Sequence, residues 1–537
     1  MTWNFGDLLD GIDEVLPADA PALIHGDHTT RWGDFARRSN CLAAALRSRG
    51  AEPGDKVAFY MRNRPEYVET LAACFKARLA HVNVNFRYLD DELHYILDNS
   101  DARFIFFAEE FAERAGALRG RLPGVEGWIQ IGGRPTGGAA AYEELANEGP
   151  GTPLGIERSG DDLIFLYTGG TTGMPKGVMW RVEDIWGALG YGATSPPNGG
   201  VAPESPTVHV QNVKNFGPGA KQIACCPLMH GTGLLTAIGT ISAGGAIVTL
   251  QSPHFDPAEL WQTVERERAD SLVIVGDAFA RPMLNALEEN PGRWDISSIK
   301  LMVSSGVIWS KEVKMGLLAH NPRMILFDSF GSSEAVGFGN STTTASGESR
   351  TAKFQIGEKC KVFSEDHRPV EPGSGEKGFI ARCGPIPLGY YKDPEKTAKT
   401  FPVIDGVRYS IPGDWCTVEA DGTLTLLGRG SVCINTAGEK VYPEEVEEAL
   451  KTHPDVEDAL VLGLEDAKWG QAVTGVVQLR RSAALKEAAL RDHVRAQLAA
   501  FKTPKRIVSI ERMPRAPNGK ADYKMAAAFA KSHLDFE

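Results

Sequence analysis

The sequence predicts an α/β protein with a large N-terminal domain of helix-covered, mostly parallel sheets plus a small β-rich subdomain. A small mobile α+β domain is expected at the C-terminus. Apolar runs such as residues 56–61, 162–168 and 271–276 are continuous rather than alternating, which is typical of strands buried on both faces. Segments with helical spacing, for example residues 65–77 and 256–268, lie between such runs. This alternation indicates a parallel sheet covered by helices.

The other apolar runs are equally short and are bounded by polar or glycine-containing stretches, so they predict further buried strands. They span residues 103–108, 246–250, 300–306 and 324–331. After about residue 375 the pattern changes. Residues 414–429 predict two strands joined through Asp421-Gly422, a dipeptide typical of hairpin turns.

A separate small domain is predicted at the C-terminal end. From Pro443 onward the expected order is a helix, two strands, a long helix over residues 485–501 and a last strand. Roughly a hundred residues suffice for an independent domain. We therefore divide the chain into an N-terminal core (1–428), a hinge (429–432) and a C-terminal mobile lid domain (433–537).

Charge and cysteine content narrow the function classes. The 537 residues carry a formal net charge of −12 and the sequence pI is about 5.6, which argues against a surface built for nucleic acid or an anionic membrane. The eight cysteines include no C-x-x-C pair, so we expect reduced, mostly buried thiols and a cytoplasmic protein. The vicinal pair Cys225-Cys226 is expected to serve core packing. The acidic N-terminus predicts no signal peptide.

Residues 231–250 lack charged side chains over about the length of a membrane span. Gly244-Gly245 and several Thr and Ser residues interrupt this stretch, and it lacks the flanking Lys, Arg, Trp or Tyr typical of membrane helices. We therefore expect a core helix, a turn and a buried strand, with no integral membrane segment. Residues 193–206 are rich in Pro and Gly and predict a mobile loop or lid.

A glycine-rich stretch, "YTGGTTGMPKGVMW" over residues 167–180, follows the predicted strand at 162–168. Glycines allow successive backbone N–H groups to turn inward as an anion-binding concavity, and Lys176 adds a point charge for phosphate oxygens. A flexible connector is the alternative. Pro175 and Gly177 break the Walker A pattern, so a P-loop kinase or ATPase is disfavoured.

This stretch resembles the signature loop of the adenylate-forming (AMP-binding) superfamily of acyl-CoA synthetases, luciferases and peptide-synthetase adenylation domains. Further motifs match in the same order over nearly the whole chain: "CCPLMHGTG", "SFGSSE", "SIPGDW", "GR" at 428–429, "NTAGEKVYPEEVE" and "PRAPNGK". The chain most resembles bacterial fatty-acid and steroid-side-chain CoA ligases.

The resemblance implies a complete nucleotide site. Phe330 would stack on adenine, Ser333 would contact the α-phosphate and Glu334 would bind Mg²⁺. Asp414 would bind the ribose hydroxyls, and Arg429 the ribose and phosphates. The residues implied in binding ATP are Thr168, Gly169, Gly170, Thr171, Thr172, Gly173, Lys176, Ser329, Phe330, Gly331, Ser332, Ser333, Asp414 and Arg429.

The resemblance also names catalytic residues, which are Lys520, Glu334, His230 and Thr171. Attack of a carboxylate on an α-phosphate brings two anions together, so positive charge and positioning are what such a site needs. Lys520 would supply charge only when the C-terminal domain is closed. His230 would lie near the acyl carboxylate, although a lone histidine is more often a core residue.

In the synthetase branch, coenzyme A attacks the acyl adenylate after the small domain rotates. Gly438 would then approach the pantetheine arm, and Lys440 could meet a CoA phosphate or remain a solvated lysine. The hinge departs from the family pattern, which commonly reads Arg-x-Asp/Lys-Asp, since Ser431 and Val432 stand at its last two positions. Asn435 replaces the lysine of luciferases, so thioester formation is favoured over light emission.

The acyl-pocket segment "SGVIW" favours an apolar acid, because an amino acid's ammonium would need a carboxylate partner. Its predicted pocket residues are Gly306, Val307, Ile308 and Trp309, although Trp309 could equally be a core residue. We expect a ligase of fatty-acid and lipid metabolism that uses ATP, Mg²⁺ and CoA and forms a homodimer. The alternatives are a free-standing adenylating enzyme that loads a carrier protein and a non-enzymatic nucleotide sensor.

Overall fold

The computed structural model describes residues 3–168, 174–189, 203–347, 352–429, 434–436, 439–466, 470–481, 483–516 and 519–534. Its α-helices are α1 (Phe5–Val15), α2 (Trp32–Ser48), α3 (Pro65–Ala77), α4 (Asp90–Asn99), α5 (Ala112–Arg119), α6 (Tyr142–Asn147), α7 (Val182–Leu189), α8 (Pro206–Phe216), α9 (Gly231–Ser242), α10 (Pro257–Glu267), α11 (Asp277–Glu289), α12 (Lys311–His320), α13 (Pro394–Thr400), α14 (Pro443–Lys451), α15 (Glu487–Gln497) and α16 (Tyr523–His533). Short 3₁₀ turns cover Glu109–Phe111 and Ala500–Lys502.

The strands of the first half are β1 (Pro21–His25), β2 (His28–Arg31), β3 (Lys56–Tyr60), β4 (Ala80–Asn83), β5 (Ala102–Ala108), β6 (Gly127–Ile131), β7 (Ala140–Ala141), β8 (Leu163–Thr168), β9 (Lys176–Arg181), β10 (Lys221–Ala224), β11 (Ala246–Thr249) and β12 (Ser271–Ile274). Those of the second half are β13 (Leu301–Ser305), β14 (Ile325–Ser332), β15 (Ala335–Thr343), β16 (Lys353–Ile356), β17 (Cys360–Phe363), β18 (Lys377–Arg382), β19 (Gly389–Tyr390), β20 (Val403–Ile404), β21 (Val407–Arg408), β22 (Asp414–Val418), β23 (Leu424–Arg429), β24 (Ile434–Thr436), β25 (Glu439–Val441), β26 (Val456–Asp466), β27 (Gly470–Leu479) and β28 (Arg506–Ser509).

Two large mixed sheets form the N-terminal domain. One has eight strands in the order β19-β9-β8-β4-β3-β5-β6-β7 and is parallel from β8 to β7, with β9 and β19 antiparallel at its edge. In the other, β1, β11, β10, β12, β13 and β14 are parallel neighbours. Each predicted apolar run overlaps one strand of these two sheets, and the predicted helices at 65–77 and 256–268 correspond to α3 and α10.

The second sheet continues beyond β14 as an antiparallel extension through β15, β16, β23, β22, β18 and β17. This extension has a small core of its own that includes Phe330, Phe338 and Phe354. It corresponds to the predicted β-rich subdomain, and β22 and β23 form the hairpin expected around Asp421-Gly422.

The C-terminal residues form a smaller α+β unit around a five-stranded sheet. Strand β26 pairs along the whole of one edge of β27, while the other edge of β27 pairs with β24 near Gly470 and, in parallel, with β28; β25 pairs with β24. One core lies against α14 and α15, and another lies against α16. The predicted fold class is therefore confirmed. Residues 430–433 lie outside the described residues, so the hinge and the exact division into domains stay predictions.

The apolar stretch 231–250 forms α9, a turn and β11, with Gly244 at φ +70° in the turn. Most of its side chains are buried in the protein core, as predicted. Among the described residues, no helix combines the length and the apolar character needed to cross a bilayer. The described cysteines are free thiols and nearly all are buried, again as predicted. Residues 193–202 of the predicted loop lie outside the described part of the chain.

The C-terminal unit contacts the N-terminal domain through polar side chains. Arg480, at the end of β27, donates to Glu312 on α12 at 2.9 Å, and Asn285 on α11 donates to Glu457 on β26 at 3.1 Å. Arg281 on α11 lies 3.8 Å from the same Glu312 carboxylate. Gly519, in the loop before α16, lies against Val275, which follows β12 of the second sheet.

Candidate active site

A cavity of about 770 Å³ lies where the two large sheets and the C-terminal unit meet. Strand β8, strand β14, the N-terminus of α9 and the segment that enters α16 all reach it. The polar and glycine residues that line it are Asn83, Asn85, Tyr88, Tyr167, Thr168, His230, Gly231, Thr232, Thr236, Ser305, Gly306, Ser329, Gly331, Ser332, Ser333, Gly337, Gly339, Asn340, Lys520, Asp522, Tyr523 and Lys524. The apolar ones are Leu166, Ala188, Leu189, Leu235, Val275, Val303, Phe327, Val336, Ala516 and Ala521.

The glycine-rich stretch connects two antiparallel strands at the cavity. Strand β8 ends at Thr168, which lines the cavity and pairs with Lys176 at the start of β9. The predicted phosphate-binding residues Gly169, Gly170, Thr171, Thr172 and Gly173 lie outside the described residues. The Lys176 ammonium forms an ion pair with the Asp393 carboxylate, a contact that the sequence did not predict.

The glutamate motif forms the end of β14 and the turn into β15. Ser329, Gly331, Ser332 and Ser333 line the cavity. Phe330 does not: its side chain, on the opposite face of the strand, is buried with its ring centroid 5.3 Å from that of Phe338. The structure therefore gives Phe330 a packing role and does not place its ring against the cavity.

Glu334 follows the motif serines as a buried carboxylate, although it is not among the cavity-lining residues. Its Oε1 accepts a 2.7 Å hydrogen bond from the hydroxyl of Tyr390. Its backbone oxygen accepts from Ser410 at 2.7 Å, and its backbone N–H donates to Ser332 Oγ at 3.2 Å. Tyr390 thus fixes one carboxylate oxygen, and the backbone bonds hold the residue next to the cavity-lining serines.

His230 precedes α9 and its carbonyl accepts from Leu234 N at 2.9 Å, so it occupies the N-cap position of that helix. Its Nε2 is buried and has no hydrogen-bond partner within the described part of the chain. Desolvation, assisted by the nearby Lys520 charge, lowers the pKa of His230 to about 3. The ring is therefore neutral at physiological pH, and it lines the cavity with a buried Nε2 that has no partner among the described residues.

Lys520 reaches the same cavity from the C-terminal unit, next to Asp522 at the N-cap of α16. It is close enough to His230 to affect the histidine's protonation. The structure therefore brings together two residues that are 290 positions apart in the sequence and that were both predicted as catalytic.

The two residues predicted to bind ribose begin and end one hairpin of the subdomain. Asp414 starts β22 as a buried residue, and its register partner across the hairpin is Arg429, the last residue of β23. The side chains of Arg429 and Lys440, like the whole of Gly438, lie outside the described residues.

Of the four residues predicted to line the acyl pocket, only Gly306 lines the cavity. Val307 and Ile308 are not among its lining residues, and their carbonyl oxygens lie against Gly276. Trp309 is fully buried in the core of the second sheet, with the Lys314 ammonium 5.3 Å from its ring centroid. The chain turns inward there to start α12, so Trp309 is a core residue, as the alternative interpretation held.

Sequence reasoning missed two polar residues that organise this site. Asn83, at the end of β4, accepts from Tyr167 N at 2.6 Å and donates to the carbonyls of Tyr167 (2.9 Å) and Met229 (2.7 Å). It therefore ties the strand before the glycine-rich loop to the segment before His230. Tyr390 is the other. Neither residue lies in a motif, and only contacts between distant segments reveal them.

Two protein-family models match this chain. Residues 14–391 match the AMP-binding enzyme model, and residues 445–520 match the model of the AMP-binding enzyme C-terminal domain. The chain belongs to the AMP-binding enzyme family. This membership confirms the predicted family and argues against the nucleotide-sensor alternative; together with the CoA ligases to which the chain is similar, it confirms the predicted enzyme class, an AMP-forming acyl-CoA synthetase.

Curated relatives cover almost the whole chain of this AMP-binding enzyme. It is 40% identical over 538 residues to a 3-oxocholest-4-en-26-oate–CoA ligase of Rhodococcus rhodochrous, covering 98% of this chain and 96% of the relative. It is also 40% identical to a medium/long-chain-fatty-acid–CoA/3-oxocholest-4-en-26-oate–CoA ligase of Mycobacterium marinum, covering 97% and 96%. Similarity of this extent supports one overall architecture.

Solved structures have the same fold. An anthranilate CoA ligase in complex with anthranoyl-AMP superposes with a TM-score of 0.84 at 22% identity, over 99% of this chain and 98% of that one. ATP-bound MatB from Rhodopseudomonas palustris gives a TM-score of 0.81 at 22% identity, over 99% and 100%.

Proposed function

We propose that this enzyme activates an apolar carboxylic acid with ATP, releasing pyrophosphate, and then transfers the acyl group to coenzyme A, releasing AMP. The observation that carries the proposal is that one cavity is bordered by Thr168, the motif serines, His230 and Lys520. Each of these elements was expected to serve a different part of the adenylation step, in which the acid reacts with ATP.

The acid's carboxylate would lie at His230 and the N-terminus of α9. The neutral imidazole offers Nε2 as a hydrogen-bonding atom, and the helix N-terminus favours an anion. An imidazolium would bind the carboxylate more strongly but would reduce its nucleophilicity toward the α-phosphate. The low pKa of His230 therefore suits a residue that orients the acid.

Lys520 would stabilise the charge that develops as the carboxylate attacks the α-phosphate. Thr168, Ser332 and Ser333 would place the phosphates with hydroxyl and backbone donors, and Lys176 would bind phosphate oxygens after exchanging its partner Asp393.

The donor set at Glu334 fits Mg²⁺. Among the described residues, no three His, Cys, Asp or Glu side chains cluster as a self-contained metal site. Mg²⁺ in nucleotide sites is commonly held by one or two carboxylates together with substrate phosphates, and the fixed Glu334 carboxylate beside the motif serines suits that arrangement. When bound, Mg²⁺ would neutralise phosphate charge.

The cavity wall favours an apolar acid. The charged residues of the described lining are Lys520, Asp522 and Lys524, all from the C-terminal unit, and Asp522 is engaged as the N-cap of α16 through Met525 N at 3.0 Å. The N-terminal domain lines the cavity with aliphatic side chains, Phe327 and neutral polar groups. The relatives named as medium/long-chain-fatty-acid and steroid-acid CoA ligases support the same substrate class.

A panel of acids tests this proposal. Acetate, octanoate, palmitate and a steroid side-chain acid are compared by kcat/KM for pyrophosphate release, with and without CoA. We expect octanoate or a bulkier acid to be preferred, with acyl-AMP retained until CoA is added. Acetate as the best substrate would remove the apolar-pocket assignment. Acyl transfer to a phosphopantetheinylated carrier protein but not to CoA would favour the carrier-loading alternative. Cytoplasmic location and a homodimer stay predictions.

A further inference from the structure

The segment of residues 389–393, which begins with β19, contacts both Lys176 and Glu334 of the proposed phosphate site, although no motif marked it. Strand β19 pairs antiparallel with β9, with Tyr390 opposite Val178. Its neighbour along the chain, Tyr391, donates its N–H to Gly177 O at 2.8 Å, next to Lys176. The strand that begins with the phosphate-loop lysine therefore also fixes the position of Tyr390.

Tyr390 is held rigidly from several sides. Its backbone N–H donates to Thr397 Oγ1 at 2.9 Å, and its ring is buried with its centroid 5.9 Å from that of Phe401. The preceding Gly389 has φ +147°, and a Cβ there would lie 2.4 Å from Thr397 Cγ2. Glycine thus permits the close approach that locks the tyrosine against α13.

The hydroxyl of Tyr390 meets the carboxylate that the proposed function assigns to Mg²⁺. It donates to Glu334 Oε1 at 2.7 Å, across 56 residues of sequence. On the backbone side, Trp180 of β9 donates from its indole nitrogen to Ser333 O at 2.8 Å. Strand β9 and its partner β19 therefore fix both the turn that carries Glu334 and the direction of its carboxylate.

We propose that Tyr390 is a positioning residue that orients the Glu334 carboxylate for Mg²⁺ by donating its hydroxyl to Oε1. The inference rests on the proposed function, because it takes Glu334 as the metal ligand. A carboxylate with one oxygen fixed presents the other in a set direction, so the metal and the phosphates meet a preorganised ligand. Partners of this kind, one step removed from a metal, commonly change metal affinity about ten- to a hundredfold when removed.

Tyr390→Phe removes only the hydroxyl and keeps the buried ring. The matched control is Tyr391→Phe, because the Tyr391 hydroxyl donates at 2.6 Å to Asp101 on an exposed surface. Binding of a non-hydrolysable α,β-methylene ATP analogue is measured by calorimetry over a series of Mg²⁺ concentrations. We expect Tyr390→Phe to require at least about tenfold more Mg²⁺ for half-maximal tightening, with metal-free binding unchanged. Tyr391→Phe should match the wild type.

Kinetics give a second measurement. Pyrophosphate release by Tyr390→Phe should recover toward the wild-type kcat at saturating Mg²⁺, because orientation of the ligand is impaired while the ligand itself remains. A Mg²⁺ dependence equal to that of Tyr391→Phe, or a loss of metal-free binding instead, would overturn the inference.

A third variant, Glu334→Gln, separates this inference from the proposed function. If Glu334→Gln shifts the Mg²⁺ requirement and Tyr390→Phe does not, the role of Tyr390 alone is wrong. If Glu334→Gln leaves the Mg²⁺ requirement unchanged, the assignment of Glu334 as the metal ligand is wrong as well.

Discussion

Gly519 lies directly against Ala278: a Cβ on Gly519 would stand 2.6 Å from the Cβ of Ala278. Gly519 also has φ +75°, a conformation that side chains other than glycine rarely adopt. Because Lys520 is the next residue, this close approach between the C-terminal unit and α11 is what allows the lysine to enter the cavity.

Gly519→Ala should therefore impair adenylation selectively. The added methyl clashes with Ala278, and the backbone strain at positive φ adds to that cost. We expect kcat/KM for acid-dependent pyrophosphate release to fall at least about tenfold. Thioester formation from supplied acyl-AMP and CoA should fall less, because the proposed mechanism carries out that step with Lys520 rotated out of the cavity. The control is Gly406→Ala, where φ is +77° and no atom lies within 4 Å. Equal losses in both variants would contradict the role of the Ala278 contact.

Lys520→Ala tests the catalytic charge itself. Removing a preorganised charge from a site of this kind commonly costs about a hundredfold or more, and we expect that loss in acid-dependent pyrophosphate release. The thioester step from supplied acyl-AMP should be much less affected. Lys531→Ala, on the exposed side of α16, serves as the control for loss of one positive charge from the same domain. Equal falls in both half-reactions would argue against two conformations with separate tasks.

The fold class could be predicted from the sequence, because each apolar run or helical segment indicates a strand or a helix from a short stretch of residues alone. The run at 162–168 contains β8, and the segment at 65–77 coincides with α3. Local pattern also located Lys520 and His230, through the resemblance of the motifs around them. Membership of the family supports that alignment, whereas the individual roles of the two residues stay proposals.

Orientation and long-range pairing were beyond the reach of the sequence. The Tyr390–Glu334 hydrogen bond joins residues 56 apart, and the Lys176–Asp393 ion pair joins residues 217 apart. No periodicity encodes such contacts, because they depend on how β19 pairs with β9. Trp309 illustrates the same difficulty. An apolar side chain next to a cavity-lining residue can face either the pocket or the core, and the sequence pattern is the same in both cases.

The pKa of His230 predicts a specific acid sensitivity. Because the folded state holds that pKa near 3, below the usual 6.5, the unfolded chain binds a proton that the folded chain does not. The contribution of His230 to the free energy of unfolding is fully present above about pH 6.5 and is lost progressively as the pH falls toward 3. Between pH 7 and pH 5 the wild type should lose up to about 2 kcal/mol more unfolding free energy than His230→Gln. Urea unfolding at both pH values measures this difference, and parallel losses would show that His230 is not buried in its neutral form.

Asp393 performs two tasks that a single substitution separates. Its Oδ1 accepts from Lys396 N at 2.9 Å at the N-cap of α13, while its Oδ2 pairs with the Lys176 ammonium. Asparagine caps helices about as well as aspartate, so Asp393→Asn should keep the cap and release Lys176 from a carboxylate. The half-exposed ion pair contributes only about 0 to 1 kcal/mol.

We expect Asp393→Asn to bind ATP about two- to fivefold more tightly, because phosphate no longer competes with a carboxylate for Lys176 or meets its negative charge. Calorimetric titration with ATP at low and high salt measures the effect, which should shrink as salt screens the charges. The control is Asp256→Asn at the N-cap of α10, where Oδ1 accepts from Ala258 N at 2.8 Å and the carboxylate does not pair with Lys176. Weaker ATP binding by Asp393→Asn alone would mean that Asp393 holds Lys176 in place for phosphate, and the competition described here would be wrong.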